Sequence, residues 1–111
     1  MAKKTIDKRK QASLEAKAAV IKAIAHPTRL FIVEELAQGD KCVCEITDML
    51  AVDTSTVSKH LSVLKNAGVL EDEKRGLMVY YHLSMPCILK FIGCIESALK
   101  QRVKAQLELV K

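Results

Sequence analysis

DTSTVSKHLSVLKNAGVLEDEKRGLMVYYHL, residues 53–83, reads as one unit whose parts follow each other in a fixed order. Asp53 is a helix N-cap, because its carboxylate can accept from the free N–H groups of the first turn. Thr54, Ser55 and Thr56 fill that turn with short polar side chains pointing outward. Behind them Val57, Leu61 and Leu64 recur at three- and four-residue spacing, an apolar stripe that docks the helix on a core. Gly68 supplies the positive φ with which helices commonly end. Val69-Leu70 and Met78-Val79-Tyr80-Tyr81 are β-prone runs flanking a charged, Gly-containing tip from Glu71 to Gly76. A helix followed directly by such a hairpin is a winged helix-turn-helix pattern, with Lys74 and Arg75 expected at the tip of a two-stranded wing.

Working outward, a Pro and a Gly set the limits of the preceding elements. Ser13 to Ala25 is Ala-rich and predicts a first helix. His26-Pro27 interrupts it, and Pro27 suits the first turn of a second helix that ends at Gly39. A third short helix, holding Ile46, Met49 and Leu50, begins near Cys42 to Cys44. After the wing, Ser84 is the expected cap of a long last helix, with Pro86 in its first turn, reaching about Leu109. About five helices and a β-hairpin make the fold mainly α, of the α+β kind. The division is a basic flexible arm over residues 1–12 and one domain over residues 13–111.

The 111 residues fit one domain with a modest core. No apolar run approaches the roughly 20 residues of a membrane span, so no membrane partner is expected. MAKKTIDKRK at the start lacks a signal peptide's apolar stretch, which predicts a cytoplasmic protein. A net charge of +5, with Lys3, Lys4, Lys8, Arg9 and Lys10 clustered in the arm, suits a polyanion. On the last helix Ile88, Ile92, Ile95, Leu99, Val103 and Leu107 form a stripe with Phe91 and Ala98 alongside. So long an apolar face on so small a domain needs a cover.

Four cysteines, Cys42, Cys44, Cys87 and Cys94, stand in a chain expected to be reduced, so structural disulfides are not anticipated. Metal binding, redox sensing and plain packing remain. Cys87 and Cys94 lie roughly 10 Å apart along a helix and cannot share one ion without distortion. Cys42-Val43-Cys44 is the sharper signal: two soft thiols beside Glu45 at a helix start. In a regular helix these positions point about 200° apart, so both sulfurs reach one ion only where the backbone is unwound. A binding event that distorts the third helix would weaken the DNA-reading helix it supports.

Together the blocks AHPTRLFIVEEL (25–36), KCVCEI (41–46) and STVSKHLSVLKNAGVL (55–70), followed by a wing, resemble the ArsR/SmtB family of small metal- and thiol-responsive repressors. The resemblance runs from about Ala19 to the end of the chain. It implies a homodimer through the first and last helices, two reading helices on an inverted-repeat operator, and no enzymatic activity. It also implies Cys42 and Cys44 as ligands for arsenite or antimonite, As(III) or Sb(III), with Cd(II) or Pb(II) next. The chain departs from two branches of the pattern: Thr47 stands where one places a third cysteine, and residues 1–41 hold none. A third thiol must then be Cys87 or Cys94, from the same or the partner subunit, or be absent. The last helix has no histidine, so the zinc-sensing site is missing. A disulfide or persulfide switch joining Cys42 or Cys44 to Cys87 or Cys94 is the competing reading, and an interaction module without DNA binding a further one. Cys-X-X-Cys spacing and phosphate-binding Gly loops are both lacking, which argues against an enzyme.

By position Thr54, Ser55, Thr56, Ser58 and Lys59 are candidates for the major groove. His60 either donates to a phosphate or packs. Lys65, Lys74 and Arg75 are candidates for backbone or minor-groove contacts. Arg29 touches phosphate or pairs with an acid, and His26 and His82 are read as structural.

Overall fold

The computed structural model describes residues 6–110, and everything below refers to them. The elements are α1 (Lys8–Ile24), α2 (Pro27–Leu36), β1 (Lys41–Cys42), α3 (Val43–Leu50), α4 (Thr54–Asn66), β2 (Leu70–Arg75), β3 (Met78–Leu83) and α5 (Ile88–Glu108). Five helices and a wing are the expected architecture. The core is the side of each helix that carried the apolar period: Ile32, Val33, Ile46, Val57, Leu61, Leu64, Val69 and Leu70 are fully buried. Stripes at three- and four-residue spacing put α2, α3 and α4 around this cluster, and Leu83 of the wing and Ile88 of α5 close it.

α1 begins earlier than expected. Asp7 accepts from the backbone N–H of Lys10 at 2.7 Å, so the helix opens at Lys8 rather than Ser13. Lys8, Arg9 and Lys10 therefore lie in this helix, while Lys3 and Lys4 lie outside the described residues.

The sheet has three strands, in the order β1-β3-β2, where a two-stranded wing was expected. β2 and β3 pair from Leu70↔Leu83 to Arg75↔Met78, leaving only Gly76 and Leu77 as the turn. Gly76 takes φ +63, which a two-residue hairpin requires. Lys74 and Arg75 thus sit in the last rungs of the ladder, not in a loose tip. The added strand is two residues long, Lys41↔Tyr81 and Cys42↔Tyr80, too short for any alternation to be read.

Ser84 does not cap α5. Its hydroxyl donates to the carbonyl of Gly68 at 2.9 Å, tying the wing's exit to the end of α4. Residues 85–87 form a turn whose carbonyls accept from Ile88, Leu89 and Lys90, and this turn leads into α5 without a side-chain cap. Only the first turns of α5 touch the core, through Ile88, Leu89 and Ile92. Beyond them Phe91, Ile95, Leu99, Val103 and Leu107 are 45%, 46%, 55%, 55% and 59% exposed. None of the described helices is long and apolar enough to cross a membrane.

Candidate functional site

The reading helix is built from its cap. Asp53 Oδ1 accepts from the backbone N–H of Thr56 at 2.7 Å and from the Ser55 hydroxyl at 3.0 Å. Hydrogen bonds from Thr56, then Ser55, hold the Asp53 carboxyl below the ordinary carboxylate value. Val57, Leu61 and Leu64 are buried, which turns Thr54, Ser55, Ser58 and Lys59 outward on one exposed face, with Thr56 half-buried. Helix N-termini also attract anions, so the face presents hydroxyls, one ammonium and a positive helix end together.

The other basic candidates divide in two. Lys59 and Lys74 make no ion pair among the described residues. Lys65 is bound to Asp72 at 2.9 Å. Arg75 is held to Asp40 at 2.7 Å and to Glu73 at 3.1 Å, with its guanidinium 4.6 Å from the Tyr80 ring centroid. Asp40 also meets His82 Nδ1 at 2.8 Å, so His82 has a partner that the sequence did not suggest. His82 first, and Arg75 next, hold the Asp40 carboxyl below its usual value. This web braces the wing against the loop that follows α2.

His60 packs rather than reaching outward. Its ring lies 4.6 Å from that of His26, tilted by 41°. Burial, with the nearby charges of His26 and Arg29, pushes its pKa down. Its Nδ1 and the Nε of Arg29 are buried without a hydrogen-bond partner. His26 has the specific role of capping α2, since its Nδ1 accepts from the Thr28 N–H at 3.1 Å. The only sequence signal for this was its place just before Pro27.

The thiols settle a geometric question. Cys42 is not helical: it is the N-cap of α3, extended at φ −80 and ψ 162, and pairs with Tyr80 across the sheet. Its Sγ accepts from the Glu45 N–H at 3.4 Å while Glu45 Oε1 accepts from the Cys42 N–H at 3.2 Å, a reciprocal capping box. With Cys42 outside the helix, the 200° opposition disappears. The Cys42 and Cys44 sulfurs are joined as a disulfide, with their Cα atoms 5.4 Å apart. The expected absence of a disulfide does not hold. Cys42 is buried and Cys44 exposed, at the edge of a groove of about 280 Å³ lined by Val43, Thr54, Leu77, Met78 and Val79. The pair thus borders both the first residue of α4 and the wing tip.

Cys87 and Cys94 are free, exposed thiols at the start of α5 and within it. Among the described residues, no cluster of three or more His, Cys, Asp or Glu side chains is arranged to hold a metal ion. Among the described residues the cysteine sulfurs that converge are those of Cys42 and Cys44.

A model of the bacterial regulatory proteins of the arsR family matches residues 26–72, from the cap of α2 into the wing. An uncharacterized HTH-type transcriptional regulator of Methanocaldococcus jannaschii is 41% identical over 70 residues, covering 62% of this chain and 79% of that protein. A cadmium resistance transcriptional regulatory protein CadC homolog of Staphylococcus aureus is 40% identical over 67 residues, 60% of this chain. That match spans 55% of the Staphylococcus protein, about half its length. Among solved structures, the homodimeric winged helix-turn-helix DNA-binding domain Mb0332 of Mycobacterium bovis superposes with a TM-score of 0.78 at 28% identity. The superposition covers 95% of each chain.

Proposed function

The chain belongs to the arsR family of bacterial regulatory proteins and is a DNA-binding transcriptional regulator of the ArsR/SmtB type; on that premise we propose a homodimeric repressor that a thiophilic ion releases from its operator. In this reading two copies pack α1 and α5 together, and the two α4 helices read an inverted repeat about one DNA turn apart. Thr54, Ser55, Thr56 and Ser58 face base edges and phosphates, and Lys59 and Lys74 neutralise backbone charge. Lys65, His60 and Arg75 act differently, bracing the reading helix and wing through Asp72, His26 and Asp40.

The observation that carries the inducer half is the convergence of Cys42 and Cys44 beside Thr54 and the wing tip. Reduced, the two give a soft, two-sulfur site suited to thiophilic ions. Arsenite and antimonite come first because they are satisfied by three sulfurs, which this chain reaches more easily than four. Cadmium and lead come next. The third donor falls to Cys87 or Cys94 of the partner subunit, since one chain gathers only two. Any ion seated there pulls on the cap of α3 and crowds Thr54 and Leu77, both of which border the DNA-reading face. The competing disulfide switch requires a bond from Cys42 or Cys44 to α5, whereas the structure joins Cys42 to Cys44 and leaves Cys87 and Cys94 free.

The test is fluorescence anisotropy of the reduced protein on the DNA upstream of its own gene, titrated with arsenite, antimonite, cadmium, lead and zinc. Wild-type protein is released by an ion of the soft group and not by zinc. Cys42→Ser/Cys44→Ser protein stays bound; a double variant that is released like wild type overturns the site.

A further inference from the structure

We propose that Cys42 and Cys44 are a site of reversible oxidation within one chain, and that the oxidised protein keeps its grip on DNA while becoming blind to thiophilic ions. The inference rests on the reading above for its inducer half. It differs from a release switch in sign: oxidation locks the repressor on.

The argument starts from what the bond between the two sulfurs leaves intact. With Cys42 and Cys44 joined, β1 still pairs with β3, and Cys42 Sγ still accepts from Glu45. Asp53 still caps α4, and the wing is complete to its two-residue turn. Every element of the reading face therefore coexists with the disulfide. The 5.4 Å between Cα atoms lies within the ordinary span of disulfides, and it follows from Cys42 being an extended cap rather than a helical residue. With the bond in place α3 is helical from Val43 and keeps its capping box.

The unequal exposure of the two sulfurs orders the chemistry. Cys44 is exposed and Cys42 is 2% exposed, so an oxidant from solution meets Cys44 first. With a low-molecular-weight disulfide RSSR, the Cys44 thiolate attacks one sulfur and releases RS⁻, leaving a mixed disulfide on Cys44. The Cys42 thiolate then attacks the Cys44 sulfur, forming the internal bond and expelling the second RS⁻. Two thiols lose two electrons to RSSR, and their two protons end on two RSH. The adjacent resolving thiol keeps the first adduct from persisting. Thiolates, not disulfides, are the ligands of soft ions, so both donors are consumed at once.

The experiment uses the full chain, fully reduced or oxidised with glutathione disulfide and freed of small thiols. In the oxidised protein, the tryptic peptide Cys42–Lys59 should be lighter by two hydrogens and carry no glutathione. Oxidised protein should bind the operator with the affinity of reduced protein, ignore arsenite and cadmium, and recover its response after treatment with a phosphine reductant. Loss of operator binding on oxidation overturns the proposal. So does a bond from either residue to Cys87 or Cys94, a lasting glutathione adduct, or an oxidised protein that is still released by ions. A reduced protein that ignores every ion refutes the proposed function and the inducer half here, while peptide mass and operator retention still decide the oxidation half.

Discussion

Replacing Leu99 by Asp on α5 should break the dimer while leaving the winged domain folded. The magnitude follows from exposure. Complete burial of such a side chain is worth about 1.5–3 kcal/mol, and Leu99 still has 55% of its surface to cover. One copy therefore gains about 1 kcal/mol at the interface, and the two-fold doubles it to about 2 kcal/mol. Losing that weakens dimerisation about 30-fold, and two carboxylates facing an apolar seam add to the loss. The core is spared because α5 enters it only through Ile88, Leu89 and Ile92. Sedimentation equilibrium across a concentration series reads the association constant, and circular dichroism with urea unfolding monitors the fold. Operator affinity should fall with the dimer, since one copy presents one reading helix. A Leu99→Asp protein that remains dimeric with wild-type operator affinity would refute α5 as the seam. A protein that unfolds outright would refute its independence from the core.

Three further outcomes follow from particular contacts. Ala51 ends α3 at φ +52, a left-handed conformation that costs a residue with a Cβ about 1–2 kcal/mol, so Ala51→Gly should raise the urea midpoint without lowering operator affinity. Lys59→Ala and Lys74→Ala should each weaken binding to all duplexes and reduce the slope of log K against log salt by about 1, whereas Arg75→Ala, which removes a group already paired with Asp40, should change wing stability more than that slope. His60 has its pKa lowered in the fold by burial and by the charges of His26 and Arg29, so the unfolded chain binds its proton more readily. Its contribution therefore falls as pH drops through the ordinary histidine value near 6.5. Unfolding curves at pH 8 and pH 5 should differ less in His60→Gln than in wild type, and an unchanged difference would remove His60 from the account.

The sequence and the structure agree where side-chain periodicity or a cap carries the information. Val57, Leu61 and Leu64 place α4 and its buried face unaided, and Asp53 marks its first turn. Disagreement comes where a single hydrogen bond competes with composition. Asp7 opens α1 within a stretch whose lysines read as a solvated arm. Ser84 has the chemistry of a cap, yet Gly68's carbonyl offers it a partner across the fold. The strand at Lys41–Cys42 exists only through its pairing to Tyr80 and Tyr81, and two residues cannot display a period of two. That short strand decides the site, because by holding Cys42 extended it brings together two sulfurs that helical spacing would separate. The pairings of Arg75 and His82 with Asp40, separated by 35 and 42 positions, are likewise products of tertiary contact.

Charge looks different once those partners are placed. A net charge of +5 suggests a uniformly basic surface, but β2 carries Glu71, Asp72 and Glu73, and two of these acids occupy Lys65 and Arg75. Of the wing's two cations Arg75 is held in internal pairs, and Lys74 makes no ion pair among the described residues. In the proposed function affinity for DNA comes from a small set of groups at fixed positions: the first turn of α4, Lys59 and Lys74. Small sets are sensitive to small displacements, because moving the first turn of α4 displaces its hydroxyls and the positive helix end together. The thiol pair lies against that turn, with Thr54 on one side of its groove and Leu77 to Val79 on the other. A bulky ion between the sulfurs must occupy space shared with both. A disulfide, which adds no atoms, occupies none. On the two proposals above, the same two cysteines give opposite outputs, release on ligation and retention on oxidation, and the difference comes from volume at one edge of the reading helix.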